Sequence, residues 1–104
     1  MSFALIYLEA LKAARKAEAA FFAEHGEPYF CGFAWIEFSS ARTKWVTFCK
    51  KNSIGRKSST KGWYIWEPTD NPTQSMEIKM AGAKAFASVL QKHDIECRAV
   101  CRPD

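Results

Sequence analysis

Residues 29–38, Tyr-Phe-Cys-Gly-Phe-Ala-Trp-Ile-Glu-Phe, are apolar on both alternating faces, and few structures can hold such a run. Taken at a period of two, Phe30, Ala34, Ile36 and Phe38 point one way, while Tyr29, Cys31, Phe33 and Trp35 point the other. A strand covered on both sides fits this pattern. Gly32 removes a side chain within it and marks a bulge or a close approach by another group.

Helical periods flank this strand. Residues 3 to about 24 contain neither Gly nor Pro, and Ala4, Leu8, Leu11, Ala14, Ala17 and Phe21 recur at three- and four-residue spacings, the pattern of a long amphipathic helix. Its alanines allow another backbone to come close, either the sheet or a second copy of the chain. Gly26 and Pro28 stop it. Ser39 or Ser40 is positioned to cap a second helix, with Ala41, Trp45, Phe48 and Cys49 as its apolar stripe and an end near Asn52. Residues 53–62 have the composition of a mobile exposed loop, and 63–66 that of a short strand halted by Pro68. Asn71, followed by Pro72 and Gln74, opens a last helix that runs to about His93, with Ser75 as a competing cap one turn later. Residues 95–101 alternate Ile95, Cys97, Ala99 and Cys101 against Glu96, Arg98, Val100 and the following Arg102, as a half-buried edge strand does.

The predicted order is therefore α-β-α-β-α-β over a single domain of residues 1–104, in the α/β or α+β class. Helix-length connections permit parallel neighbours through right-handed crossovers, so a three-stranded sheet packed with helices is the expected architecture. A chain of 104 residues with 48% hydrophobic and 14% aromatic content has enough apolar mass for a core of its own. Residues 1–10 are briefly apolar without a preceding basic cluster, and the helix is punctuated by Lys12, Arg15, Lys16 and Glu18. That reads as neither a signal peptide nor a membrane span. With four cysteines in apolar or strand-like settings, a cytoplasmic protein with reduced thiols and no membrane partner is expected.

Charge is distributed unevenly. No acidic residue lies between Phe38 and Glu67, yet that stretch holds Arg42, Lys44, Lys50, Lys51, Arg56, Lys57 and Lys61. A clustered positive field attracts phosphate-rich ligands over roughly a Debye length. Within the strand at 63–66, Trp63 and Ile65 share one face, Tyr64 and Trp66 the other, and only one pair can belong to the core. If Tyr64 and Trp66 flank the basic loop, they can stack on a base while cations contact phosphate. The competing reading has the aromatics filling the core beneath a solvated charged surface. The candidate site is thus Arg42, Lys44, Arg56, Lys57 and Lys61 for phosphate, with Tyr64 and Trp66 for stacking.

Other chemistry finds little support. The loop at 53–62 mixes glycines, hydroxyls and cations but lacks the Walker spacing. Cys97 and Cys101 would lie about 13 Å apart along a strand, too far for one zinc ion, and His25 and His93 are isolated, so no metal or cofactor is expected. No nucleophile and base stand at a catalytic spacing, which argues for a non-enzymatic protein. The helix start at 71–76 can receive an anion or simply be capped. Arg98 and Arg102 can add two guanidiniums to a ligand site or pair with acids such as Glu67 and Glu77.

Cys31-Gly32-Phe33-Ala34-Trp35, Gly62-Trp63-Tyr64-Ile65-Trp66, residues 71–76 and Arg102-Pro103-Asp104 together resemble short, uncharacterised open reading frames of tailed bacteriophages, across most of the chain from Tyr29 onward. The resemblance implies a bacterial cytoplasm during infection and a role in host takeover or in countering defence, and it transfers no functional residue. The expected function is binding of nucleic acid or a nucleotide-like anion by the basic segment 42–61. The alternative is a protein–protein inhibitor of a host protein, or a homo-oligomeric interaction module, that uses the alanine-rich first helix, with Ala10, Ala14 and Ala17, and an exposed aromatic patch.

Overall fold

The alanine-rich segment folds as α1 (Phe3–His25) in the computed structural model, which describes residues 2–28 and 30–104. Tyr29, expected to open the first strand, lies outside the described residues. Ser2 caps α1 by accepting from the Leu5 amide at 3.2 Å, and the Gly26 amide closes it on the Phe22 carbonyl at 2.7 Å. Six further elements follow: β1 (Gly32–Phe38), α2 (Lys44–Lys51), β2 (Arg56–Lys57), β3 (Trp63–Trp66), α3 (Met76–Lys92) and β4 (Arg98–Pro103). Among the described residues no helix is long and apolar enough to cross a membrane.

The order is α-β-α-β-β-α-β, and the sheet has four strands in the order β2-β3-β1-β4, antiparallel at every pairing. Two expectations are corrected by this. The fourth strand comes from the loop at 53–62, which does not hang free. Gly55, at φ 79°, turns the chain, and the Ser58 amide donates to the Gly62 carbonyl at 3.0 Å, so that Arg56 and Lys57 fold back on β3. The helical crossover does carry β1 to a parallel strand, but that strand is β2, and β3 is inserted between them. This is the split β-α-β arrangement, in which helix-length connections yield a fully antiparallel sheet.

The caps follow from which hydroxyl reaches an open amide. For α2 it is Thr43, whose Oγ1 accepts from the Val46 amide at 3.1 Å, in place of Ser39 or Ser40. Ser39 instead donates to Glu96 at 2.6 Å, and Ser40 accepts from the Arg42 amide at 3.1 Å. For α3 the cap is Ser75, accepting from the Ile78 amide at 3.3 Å, rather than Asn71.

Ala34, Ile36 and Phe38 of β1, with Trp63 and Ile65 of β3, form the sheet's buried face and join Ile6, Ala10, Leu11, Trp45, Val46, Cys49, Phe86 and Leu90 from the helices in one core. Only this face of β1 is covered. Phe33, Trp35 and Glu37 on the other remain half-exposed, and Phe30, at 57% exposure, precedes the strand. Apolar side chains on both faces therefore did not signify cover on both.

Ala10 and Ala14 are fully buried where α1 packs along α3, so the close approach they allow is to a helix of the same chain. The two helices run antiparallel. Glu9 pairs with Lys92 at 2.5 Å and His93 at 3.0 Å, while nine residues on Glu18 lies over Gly82. Glu18, 6% exposed, accepts hydrogen bonds from Thr69 at 2.7 Å and Asn71 at 3.2 Å, tying α1 to the loop that leads into α3.

Burial pushes the Cys49 and Cys97 thiols from about 9 up to about 12. The raised values mean that the neutral thiols stabilise the fold fully below pH 9, and that this contribution is lost as pH climbs toward 12. Stability measured by urea unfolding should therefore fall across that interval, and alanine at both positions should flatten the fall.

Candidate functional site

Strand register lays the uncovered face out as three rows. In the first, Arg56, Tyr64, Glu37 and Arg98 face one another across β2, β3, β1 and β4; in the second, Trp66, Trp35 and Val100; in the third, Phe33 and Arg102. Alternation puts all of them on the side away from the core. Trp66 lies nearly parallel to Trp35, with ring centroids 5.3 Å apart and an interplanar angle of 15°, and it also touches Phe33 at 5.3 Å and the edge of Tyr64 at 6.4 Å. At 42% exposure it is the outermost ring of a four-membered aromatic patch.

The charges around the patch are not equivalent. Arg98 donates to Glu37 Oε1 through Nη2 at 2.6 Å and Nε at 3.1 Å, and these hydrogen bonds hold the Glu37 carboxyl below the usual range. Lys79 pairs with Glu67 at 3.0 Å, donates to the Gly32 carbonyl at 3.0 Å and sits 5.3 Å over the Phe33 ring. Arg102 lies 5.5 Å over the same ring. Among the described residues Arg56 and Arg102 have no carboxylate partner, so two unneutralised guanidiniums stand at opposite corners of the patch. A cleft of about 590 Å³ opens beside the Arg56 corner, lined by Ser53, Gly55, Arg56, Tyr64 and Trp66. It is held in shape by close packing. The Trp63 indole donates to the Ile54 carbonyl at 3.0 Å, and a Cβ on Gly55 would meet that indole nitrogen at 2.6 Å.

Of the residues singled out from sequence, Arg56, Tyr64 and Trp66 meet on this face. Arg42, Lys57 and Lys61 do not join them; they line a separate cleft of about 610 Å³ together with Lys50. Lys44, at the start of α2, stands apart from both groups, in a pocket shared with His93, Asp94 and Glu96. The basic segment thus splits, because Arg56 and Lys57 are consecutive on a strand and must face opposite ways. Phe33 and Trp35 were missed as site residues, having been read as a covered face. Pairing them with the alternation of 63–66 was the signal that could have found them.

Among the described residues no group of three or more His, Cys, Asp or Glu side chains could hold a metal ion. No protein family, curated protein or solved structure matches the chain.

Proposed function

We propose that the open face of the sheet binds single-stranded nucleic acid, stacking bases on Trp66, Tyr64, Trp35 and Phe33 while Arg56 and Arg102 contact phosphate. The observation that carries this reading is the convergence of four aromatic rings between two unneutralised guanidiniums on the half-exposed face of the sheet. Exposed aromatics on a four-stranded sheet are the means by which RNA-recognition motifs stack two or three bases. Because likeness of topology alone carries no function, the weight rests on the side chains.

Spacing favours a polymer over a single nucleotide. Three inter-strand steps and four residues along the sheet separate Arg56 from Arg102, about 14 Å by about 13 Å, which is too far for one phosphate to satisfy both. The phage resemblance supports the cytoplasm of an infected bacterium as the setting and counter-defence or host regulation as the role. Ala10 and Ala14 already pack within the chain, so the alternative based on the first helix would have to use its exposed Leu5, Leu8 and Phe22 instead. A protein partner on the aromatic face is the second reading, because Trp, Tyr and Arg dominate protein hot spots.

Fluorescence anisotropy with labelled single-stranded DNA and RNA at a series of salt concentrations tests the proposal. Log affinity should fall linearly with log salt, with a slope of about 0.7 per phosphate contact. Glu37→Gln should release Arg98 to the ligand, tightening binding and steepening the slope by about 0.7. No binding at low salt would reject nucleic acid and turn the search to proteins.

A further inference from the structure

We infer that the cleft lined by Arg42, Lys50, Lys57 and Lys61 is a second phosphate site, into which a single strand continues after leaving the aromatic patch. This rests on the reading of the open face given above and specifies its ligand as a strand longer than the patch itself.

The cleft is built from the residues where β1 ends and β3 begins. Ser39, Ser40, Ala41 and Arg42 follow β1, while Lys57, Thr60 and Lys61 belong to β2 and the turn before β3. The row nearest this end of the sheet is Arg56, Tyr64, Glu37 and Arg98. Tyr64 is three residues from Lys61, at most about 10 Å of chain. A strand crossing the face from Arg102 and Phe33, over Trp35 and Trp66, to Tyr64 and Arg56 therefore reaches the edge strand β2, and by turning round that edge it meets the cleft on the opposite side, where Lys57 points.

The cleft's chemistry suits phosphate. Its lining carries four cations and three hydroxyl residues with no carboxylate. Among the described residues none of the four cations is in an ion pair. Lys50 is already held, donating to the Ala41 carbonyl at 3.2 Å and lying 5.7 Å over the Trp63 ring. Ser39 donates to Glu96 and Thr60 shares a hydrogen bond with Ser58 at 3.2 Å, while Ser40, which accepts from the Arg42 amide, keeps its own proton to donate to a ligand. Among the described residues no aromatic ring lines the cleft, so it would take the backbone and leave the bases unread.

The test compares a labelled trinucleotide, which fits the patch alone, with a labelled dodecamer, each as DNA and as RNA, on the wild type and on Lys57→Ala/Lys61→Ala. Both lysines are exposed, and a thermal melt checks that the variant stays folded. The expected result is a weaker dodecamer complex whose salt slope is shallower by about 0.7 per lysine, with trinucleotide affinity unchanged. A dodecamer that ignores the substitution, or a trinucleotide weakened as much as the dodecamer, would overturn the second site while leaving the patch in place. If neither oligonucleotide binds the wild type, the reading of the open face fails, and this inference with it.

Discussion

Trp66→Ala is expected to weaken binding of a single-stranded oligonucleotide by about 5- to 150-fold, the equivalent of about 1–3 kcal/mol for one stacked base. Trp66 is the most exposed of the four rings in the patch, and its contacts are with Phe33, Trp35 and Tyr64 rather than with the core. Its removal should therefore cost stability little, and Trp66→Phe should restore most of the affinity. The residue before it serves as the control. Ile65 is 4% exposed and belongs to the core, so Ile65→Ala should lower unfolding free energy by about 2–5 kcal/mol while the folded fraction binds normally. Anisotropy and urea unfolding on the same pair of variants separate the two effects. Unchanged affinity in Trp66→Ala would remove the stacking role.

The second large effect concerns the junction of α1 and α3. Gly82 sits in the middle of α3, where alanine is intrinsically preferred by about 1 kcal/mol. Yet a Cβ there would lie 2.8 Å from both Cδ and Cγ of Glu18, and closer still to a carboxylate oxygen. Gly82→Ala should displace that carboxylate from Thr69 and Asn71 and destabilise the protein by about 2–3 kcal/mol, since overpacking and loss of hydrogen bonds to a charged group both exceed the helical gain. With Glu18→Ala the space opens, and in that background Gly82→Ala should become neutral or stabilising. A double-mutant cycle read by urea unfolding would then show a coupling of about 2–3 kcal/mol. Additive effects would mean that Glu18 does not govern the size of residue 82.

The parts of this fold that were legible are those written in a local period. The three helices, the end of α2 near Asn52 and the edge strand β4 follow from the spacing of apolar residues, whereas the caps of α2 and α3 fell to Thr43 and Ser75. The opposed faces of Trp63 and Tyr64 follow from alternation alone. What stayed hidden depends on partners distant in sequence. A two-residue strand such as Arg56–Lys57 has no period to read and exists because β3 offers it hydrogen bonds. A strand apolar on both faces gives one signal for two situations, burial between layers and an exposed aromatic patch, and so Phe33 and Trp35 were placed in the core. Register was also beyond reach. It is register that sets Arg98 opposite Glu37, rather than with Glu67 or Glu77, and Arg102 opposite Phe33. The candidate site was therefore half visible, with its cations grouped by sequence that the strand then divides.

Strand order has a consequence for synthesis on the ribosome. The central strand β1 lies between β3 and β4, and α1 finds its packing partner in α3. Made before its partner, α1 thus waits for residues 76–92, on the order of several seconds at ordinary elongation rates, with Ile6, Leu11 and its alanine stripe open to solvent. During that interval the nascent chain presents an amphipathic helix for which only α2, through Trp45 and Phe48 against Phe3, offers any cover, a natural substrate for a holding chaperone. Its sheet closes only once Pro103 has cleared the exit tunnel, so native structure should be acquired after translation of this segment rather than piecewise during it.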